Sequence, residues 1–146
     1  MNELSLDLAV SKEDAKGVDV VCEARVDGVS IANPRRYSIA LSHLRASADA
    51  PGSYFLITCS CGDAGCAGIE LPVEVTHTPG FINWEILEPR PERLFSFEEH
   101  AYRATIGAAP VLLAERTASL AGASQKQVTP PLGEEDFFLG KNHRAV

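Results

Sequence analysis

Leu71-Pro72-Val73-Glu74-Val75-Thr76-His77-Thr78-Pro79-Gly80-Phe81-Ile82-Asn83-Trp84-Glu85-Ile86 decides how this chain folds. Leu71, Val73, Val75 and His77 alternate with Pro72, Glu74 and Thr76. Beyond Thr78-Pro79-Gly80 the same rhythm returns in Ile82, Trp84 and Ile86. A period of two sends successive side chains to opposite faces of a strand, so the segment predicts a β-hairpin with one apolar face. Trp84 reads as core on that face, and His77 sits on it beside the turn.

The alternation extends toward the N-terminus. Leu4, Leu6, Leu8 and Val10 form one strand pattern, and Val18, Val20, Cys22, Ala24 and Val26 form a second. Asp27-Gly28 is a type I′ turn signal leading into Val29-Ser30-Ile31. Tyr54 to Thr58 is rich in aromatic and β-branched residues and predicts a strand running on through Cys61. Tyr37, Leu41 and Leu44 fall at helical spacing and predict a short helix over 37–47, stopped by Ala50-Pro51-Gly52. After a proline-rich connector over 88–92, Ser96-Phe97-Glu98-Glu99 has the form of a capping box. The helix it opens carries Tyr102, Ile106, Ala109, Leu113 and Leu120 on one face, with Gly107 and Pro110 expected to kink or divide it. The fold class expected is α+β: a mainly antiparallel sheet of about five strands with helices packed on one face. Residues 1–121 are expected to form a single domain, and 122–146 a loosely ordered C-terminal tail whose Phe137-Phe138-Leu139 group docks on it.

Composition narrows the functional classes. The chain has 146 residues, 45% of them hydrophobic and 23% charged, the balance of a globular protein with one core. Its net charge is −7, from 20 acidic and 13 basic residues. That balance repels a phosphate backbone and argues against nucleic-acid binding; it suits a basic protein partner, and equally a surface whose charge only maintains solubility. The longest weakly apolar run, Ile106 to Ala114, contains Pro110 and is too short to span a bilayer. No secretory signal is recognised, and a cytoplasmic location is expected.

The densest chemistry lies in Cys59-Ser60-Cys61-Gly62-Asp63-Ala64-Gly65-Cys66. If the preceding strand continues, Phe55, Ile57, Cys59 and Cys61 share one face, and Gly62 and Gly65 give the backbone the freedom to return Cys66 toward them. His77 lies on the inward face of the hairpin. Cys59, Cys61, Cys66 and His77 are therefore candidate zinc ligands, with Cys22 as the alternative fourth, since structural zinc takes four cysteines or three cysteines and a histidine. The spacing is Cys-x-Cys-x-x-x-x-Cys rather than paired Cys-x-x-Cys, so two other readings stand beside zinc. The thiols can be small buried filler, or Cys61 and Cys66 can form a redox pair.

Elsewhere the chain lacks the sequence signatures of catalysis. His43, His77, His100 and His143 fall in no His-Glu-x-x-His or His-x-Glu pattern, and no phosphate-cradling glycine loop or Gly-x-Ser-x-Gly elbow occurs. The carboxylates of Glu98, Glu99, Glu134, Glu135 and Asp136 read as exposed runs.

Phe55-Leu56-Ile57-Thr58-Cys59-Ser60-Cys61-Gly62, followed by Gly65-Cys66-Ala67-Gly68-Ile69, resembles a group of small bacterial proteins of unknown function. These carry Cys-x-Cys-Gly-x-x-Gly-Cys after a strand, then a tryptophan on a later strand and an aromatic-rich helix entry, as Trp84 and Phe95-Ser96-Phe97 with Tyr102 do here. The resemblance spans about Tyr54 to Tyr102. It implies no activity, and it implies that the cysteine turn belongs to the scaffold. The functional expectation is a non-catalytic intracellular protein that binds another protein, of the immunity or adaptor type. The alternative is a thiol-dependent redox enzyme or a small zinc-dependent hydrolase.

Overall fold

Leu4 and Leu6 are buried while Ser5 and Asp7 face solvent, which makes β1 (Leu4–Glu13) a half-buried strand. It pairs antiparallel with β2 (Gly17–Val26), whose residues are buried on both faces from Val20 to Ala24. Asp27 and Gly28 both adopt positive φ, 54° and 82°, as a type I′ turn requires, and β3 (Val29–Ser30) folds back on β2. The computed structural model describes residues 1–140.

β4 (Ser38–Ile39) leads directly into α1 (Leu41–Asp49), so the predicted helix starts later than expected and its first turn is a strand. The segment expected as one strand from Tyr54 is two: β5 (Gly52–Tyr54) and β6 (Ile57–Thr58). Leu56 N–H donates to the Tyr54 carbonyl at 3.0 Å, a bend that sends the two halves to different partners. β5 pairs with β7 (Val73–Thr78), and β6 pairs with β4. β7 and β8 (Phe81–Ile86) form the predicted hairpin around Pro79-Gly80, with Val75 opposite Trp84 and His77 opposite Ile82.

β9 (Arg93–Glu98) was not foreseen. The capping-box reading fails because Ser96 belongs to this strand, where its hydroxyl donates to Asn83 Oδ1 at 2.7 Å. Strand register is what places Phe97 opposite Ile82 and its ring 4.7 Å from that of Trp84, edge to face. The helix begins at the next residue, α2 (Glu99–Ser124), and Glu98 caps it by accepting the N–H groups of His100 and Ala101. Pro110 lies inside α2 without dividing it, and Ile106, Ala109, Pro110 and Leu113 are all buried.

Among the described residues the strands thus form two four-stranded sheets and a two-stranded pair rather than one five-stranded sheet, in orders β5-β7-β8-β9 and β1-β2-β10 with β3 beside β2. Asn2 joins the sheets: its N–H donates to the Ser96 carbonyl at 2.7 Å, and its side-chain oxygen accepts from Ser96 N–H at 2.8 Å. The fold is α+β, with α2 packed against strands of both sheets and against α1. β10 (Gln127–Thr129) runs parallel to β2, and α3 (Glu135–Phe138) buries Phe138 completely in the common core. Over 122–140, then, the segment expected as a loose tail supplies a strand and a core residue; residues 141–146, with His143, lie outside the described residues.

A polar chain runs through this core. Trp84 Nε1–H donates to the Tyr102 hydroxyl at 3.0 Å, and that hydroxyl is 2.7 Å from Ser47 Oγ. Burial pushes the Tyr102 phenol up to about 12, so it stays neutral and available as both donor and acceptor. Tyr102→Phe strands the indole N–H in the core and is expected to cost about 1–3 kcal/mol. Urea unfolding followed by the fluorescence of Trp84, the chain's one tryptophan, should show a lower midpoint with an unchanged slope.

Candidate functional site

The chain leaves the sheet at Thr58. β4 offers β6 two residues of pairing, Ser38↔Thr58 and Ile39↔Ile57, and the ladder ends with them. Gly62 N–H then donates to the Cys59 carbonyl at 3.0 Å, and Cys59 N–H to the Asp63 carbonyl at 3.3 Å. Cys59 and Cys61 are therefore brought together by a closed turn, not by alternation along a strand as the sequence suggested. Gly62 has φ 87°, and a Cβ there would stand 3.0 Å from the Leu132 carbonyl oxygen, so the position demands glycine on both counts. Gly65 does not share that conformation; Gly68, with φ 81°, is the second left-handed position.

The Sγ atoms of Cys59, Cys61 and Cys66 all lie within 4.8 Å of one another, close enough to share a metal ion. Cys59 and Cys61 are in sulfur–sulfur bonding contact with their Cα atoms 5.4 Å apart, and Cys66 is a free, exposed thiol. Cys61 N–H also donates to Cys59 Sγ at 3.2 Å.

Neither proposed fourth ligand joins this group. Gly52 pairs with Val75 and Tyr54 with Val73, so β5 runs toward the cysteines as β7 runs away from them. His77 accordingly sits at the far end of the hairpin, where Nε2 is 2.8 Å from the Ser47 carbonyl oxygen. Cys22 is buried on β2 opposite Leu8, and burial pushes its thiol well above the usual range. It is core filler. His100 lies in the first turn of α2 and is exposed.

Bonds that do not involve sulfur hold the turn from three sides. At its entry Cys59 packs with Tyr37 on a small cluster of Ala64, Ala67 and Ile69. In its middle the Ser60 carbonyl accepts Leu132 N–H at 2.8 Å. At its exit Glu88 accepts the N–H groups of Glu70 and Leu71 at 2.7 and 2.9 Å, and these two amides hold its carboxyl below the usual carboxylate range. The same C-terminal segment reaches α1: Glu134 Oε1 accepts from Ser42 Oγ at 2.9 Å and from Ser42 N–H at 3.3 Å. This supplies the cap that Ala40 cannot, since its side chain has no acceptor.

Glu88, Leu132 and Glu134 escaped the sequence reading because no local pattern marks them. Ser42 lies 92 residues from Glu134 and Glu70 lies 18 from Glu88. Glu134, read as part of an exposed acidic run, is in fact only 6% exposed. A cleft of about 430 Å³ opens beside the turn, lined by Gly62, Asp63, Ala64 and Gly65 from the turn and by Phe55 and His43 across from it. No helix among the described residues is long and apolar enough to cross a membrane. Comparison with family models, with curated proteins and with solved structures finds no match.

Burial raises the Glu134 carboxyl, the Ser42 bonds opposing it only in part. A carboxyl raised in the folded state binds its proton more tightly there than in the unfolded chain. Its contribution to stability is therefore fullest below the ordinary glutamate value and is lost as pH rises through the folded value. Glu134→Gln keeps the Oε1 acceptor and removes the titration. Its stability relative to the parent chain, from urea unfolding at successive pH values, should improve steadily from about pH 4 to pH 7, across the glutamate range.

Proposed function

We propose that this chain is a non-catalytic metal-holding recognition protein. In this reading Cys59, Cys61 and Cys66 take up a zinc ion that fixes the turn, and the acidic surface binds a basic protein partner. The convergence of three sulfurs within 4.8 Å on a turn held by other bonds carries the metal half. Three thiolates are soft donors, which favours zinc or copper(I) over oxygen-seeking ions, and zinc is the usual occupant of sites built from three cysteines. The anchors at Ser60, Glu70 and Leu71 support the same reading, because a turn positioned in advance loses little freedom when the ion arrives. An intracellular location, as expected from the sequence, would keep the thiols reduced. The partner half rests on the net charge of −7.

One observation favours a second reading. Cys59 and Cys61 are in bonding contact with the Cys66 thiol nearby, the arrangement of thiol–disulfide exchange. The Cys66 thiolate would attack the Cys61 sulfur, form a Cys66–Cys61 bond and release Cys59 as the thiolate.

Protein purified from its native host without chelator separates the two. The metal reading expects about one zinc per chain, four alkylatable thiols after denaturation, and a large fall in melting temperature on chelation, since binding energy for a structural ion is folding energy. A metal-free chain with only Cys22 and Cys66 alkylatable overturns it in favour of exchange. For the partner, association with a basic protein should weaken steeply as salt rises from about 0.05 to 0.5 M, where screening shortens the reach of charge. A partner whose binding ignores salt overturns the charge argument.

A further inference from the structure

We infer that the ion held by Cys59, Cys61 and Cys66 keeps one coordination position open to solvent, and that this position takes an imidazole nitrogen from a histidine-bearing partner. The inference rests on the metal reading above.

Zinc takes four donors, and the turn supplies three. Among the described residues no fourth histidine, cysteine, aspartate or glutamate brings a donor atom into the same 4.8 Å group. His77 is engaged at the Ser47 carbonyl and Cys22 is buried in the core. Asp63, inside the turn, has its Oδ1 on the Gly65 N–H at 2.8 Å. The cleft that His43 lines contains none of the three cysteines. The sulfurs themselves lie at the surface. Cys61 and Cys66 are exposed, and only Cys59 packs on the Ala64, Ala67 and Ile69 cluster. An ion on these three donors is therefore shielded on the Cys59 side and meets water on the other. Zinc sites with three protein ligands hold water or an incoming ligand in just such a fourth place.

Charge selects the donor. Three thiolates around a divalent cation leave one negative charge. A thiolate or carboxylate from outside would raise that to two, on a chain already at −7, whereas a neutral imidazole adds none. Imidazole is also a donor that zinc accepts readily. Leu132 favours a side chain on a partner over a free small molecule. It is 60% exposed, and its N–H bonds to the carbonyl of Ser60, between Cys59 and Cys61. A partner segment that reaches the ion thus finds an apolar neighbour at the rim.

Cobalt(II) in place of zinc reports its donors by absorption, and the full-length reduced chain is the material to load. The parent chain should bind one ion, and its bands should shift on titration with free imidazole, saturating at one imidazole per chain. Titration at about pH 8 keeps imidazole neutral, above its ordinary value of about 6.5. A lysine-rich peptide carrying one histidine should produce the same shift at a concentration lower by roughly 10-fold or more, because the acidic surface concentrates it. The same peptide with alanine in place of histidine should produce none. His43→Ala and His143→Ala, the latter outside the described residues, should keep the parental spectrum and its response. If the loaded parent ignores imidazole, or either substitution alters its spectrum before imidazole is added, the inference is overturned while the three-cysteine site stands. If imidazole shifts the bands and the histidine peptide acts no better, the donor is a small molecule and the assignment to a partner falls. If the reduced parent takes up no metal at all, the metal reading falls and this inference falls with it.

Discussion

The two-residue ladder between β4 and β6 is the constraint on which the site depends. A longer β4 would hold the chain extended past Thr58 and throw Cys59 and Cys61 onto a sheet face, spaced by two residues of strand. Pairing stops at Ser38↔Thr58. The residue before β4, Tyr37, does something else: its ring packs on the Ala64 and Ile69 cluster that the turn itself builds. Freed from the ladder, the backbone between Cys59 and Asp63 satisfies its own polar groups by closing on itself, and that closure gathers the sulfurs.

A turn of this kind has few apolar side chains to bury, so its position must come from polar anchors. The molecule provides them from distant stretches of chain. Glu88 takes two amide protons at the exit, and Leu132 donates one at the middle. Each anchor meets backbone rather than side chain. None of these three bonds is made by a thiol, so side-chain chemistry at Cys61 and Cys66 breaks none of them directly.

What could be read from the sequence follows the same division. Elements whose cause is local periodicity were legible: the β7–β8 hairpin with its inward Val73, Val75, Trp84 and Ile86, and the β1–β2 pair. The α+β class followed from them. β9 was hidden because Ser96-Phe97-Glu98-Glu99 satisfies a helix-start pattern equally well. Only the tertiary demand that Phe97 meet Trp84 selects strand there, and the cap moves to Glu98. The segment 122–140 was hidden because its polar composition conceals a strand that pairs with β2 and one aromatic, Phe138, that is wholly buried. In the candidate site the three cysteines were legible from spacing and glycine content. The choice of His77 failed for a directional reason: alternation tells which face a residue takes, but not which end of a strand meets another loop. That depends on β5 pairing antiparallel with β7, a fact visible only in register.

Glu134 shows how tightly the far end of the chain is tied to this region. A carboxylate that is 6% exposed, with one oxygen bonded to Ser42 and the other without a partner among the described residues, is a costly way to cap a helix. A serine or aspartate at position 40 would do it more cheaply from within the chain's own turn. What the long-range cap adds is connection. Glu134 holds α1, Leu132 holds the turn, Phe138 holds the core, and Gln127–Thr129 hold the edge of β2. Any free energy released at the sulfurs is thereby shared with docking of 127–140, because the turn cannot be loosened without loosening Leu132. The strap thereby ties the turn that carries three thiols to α1, to β2 and to the core.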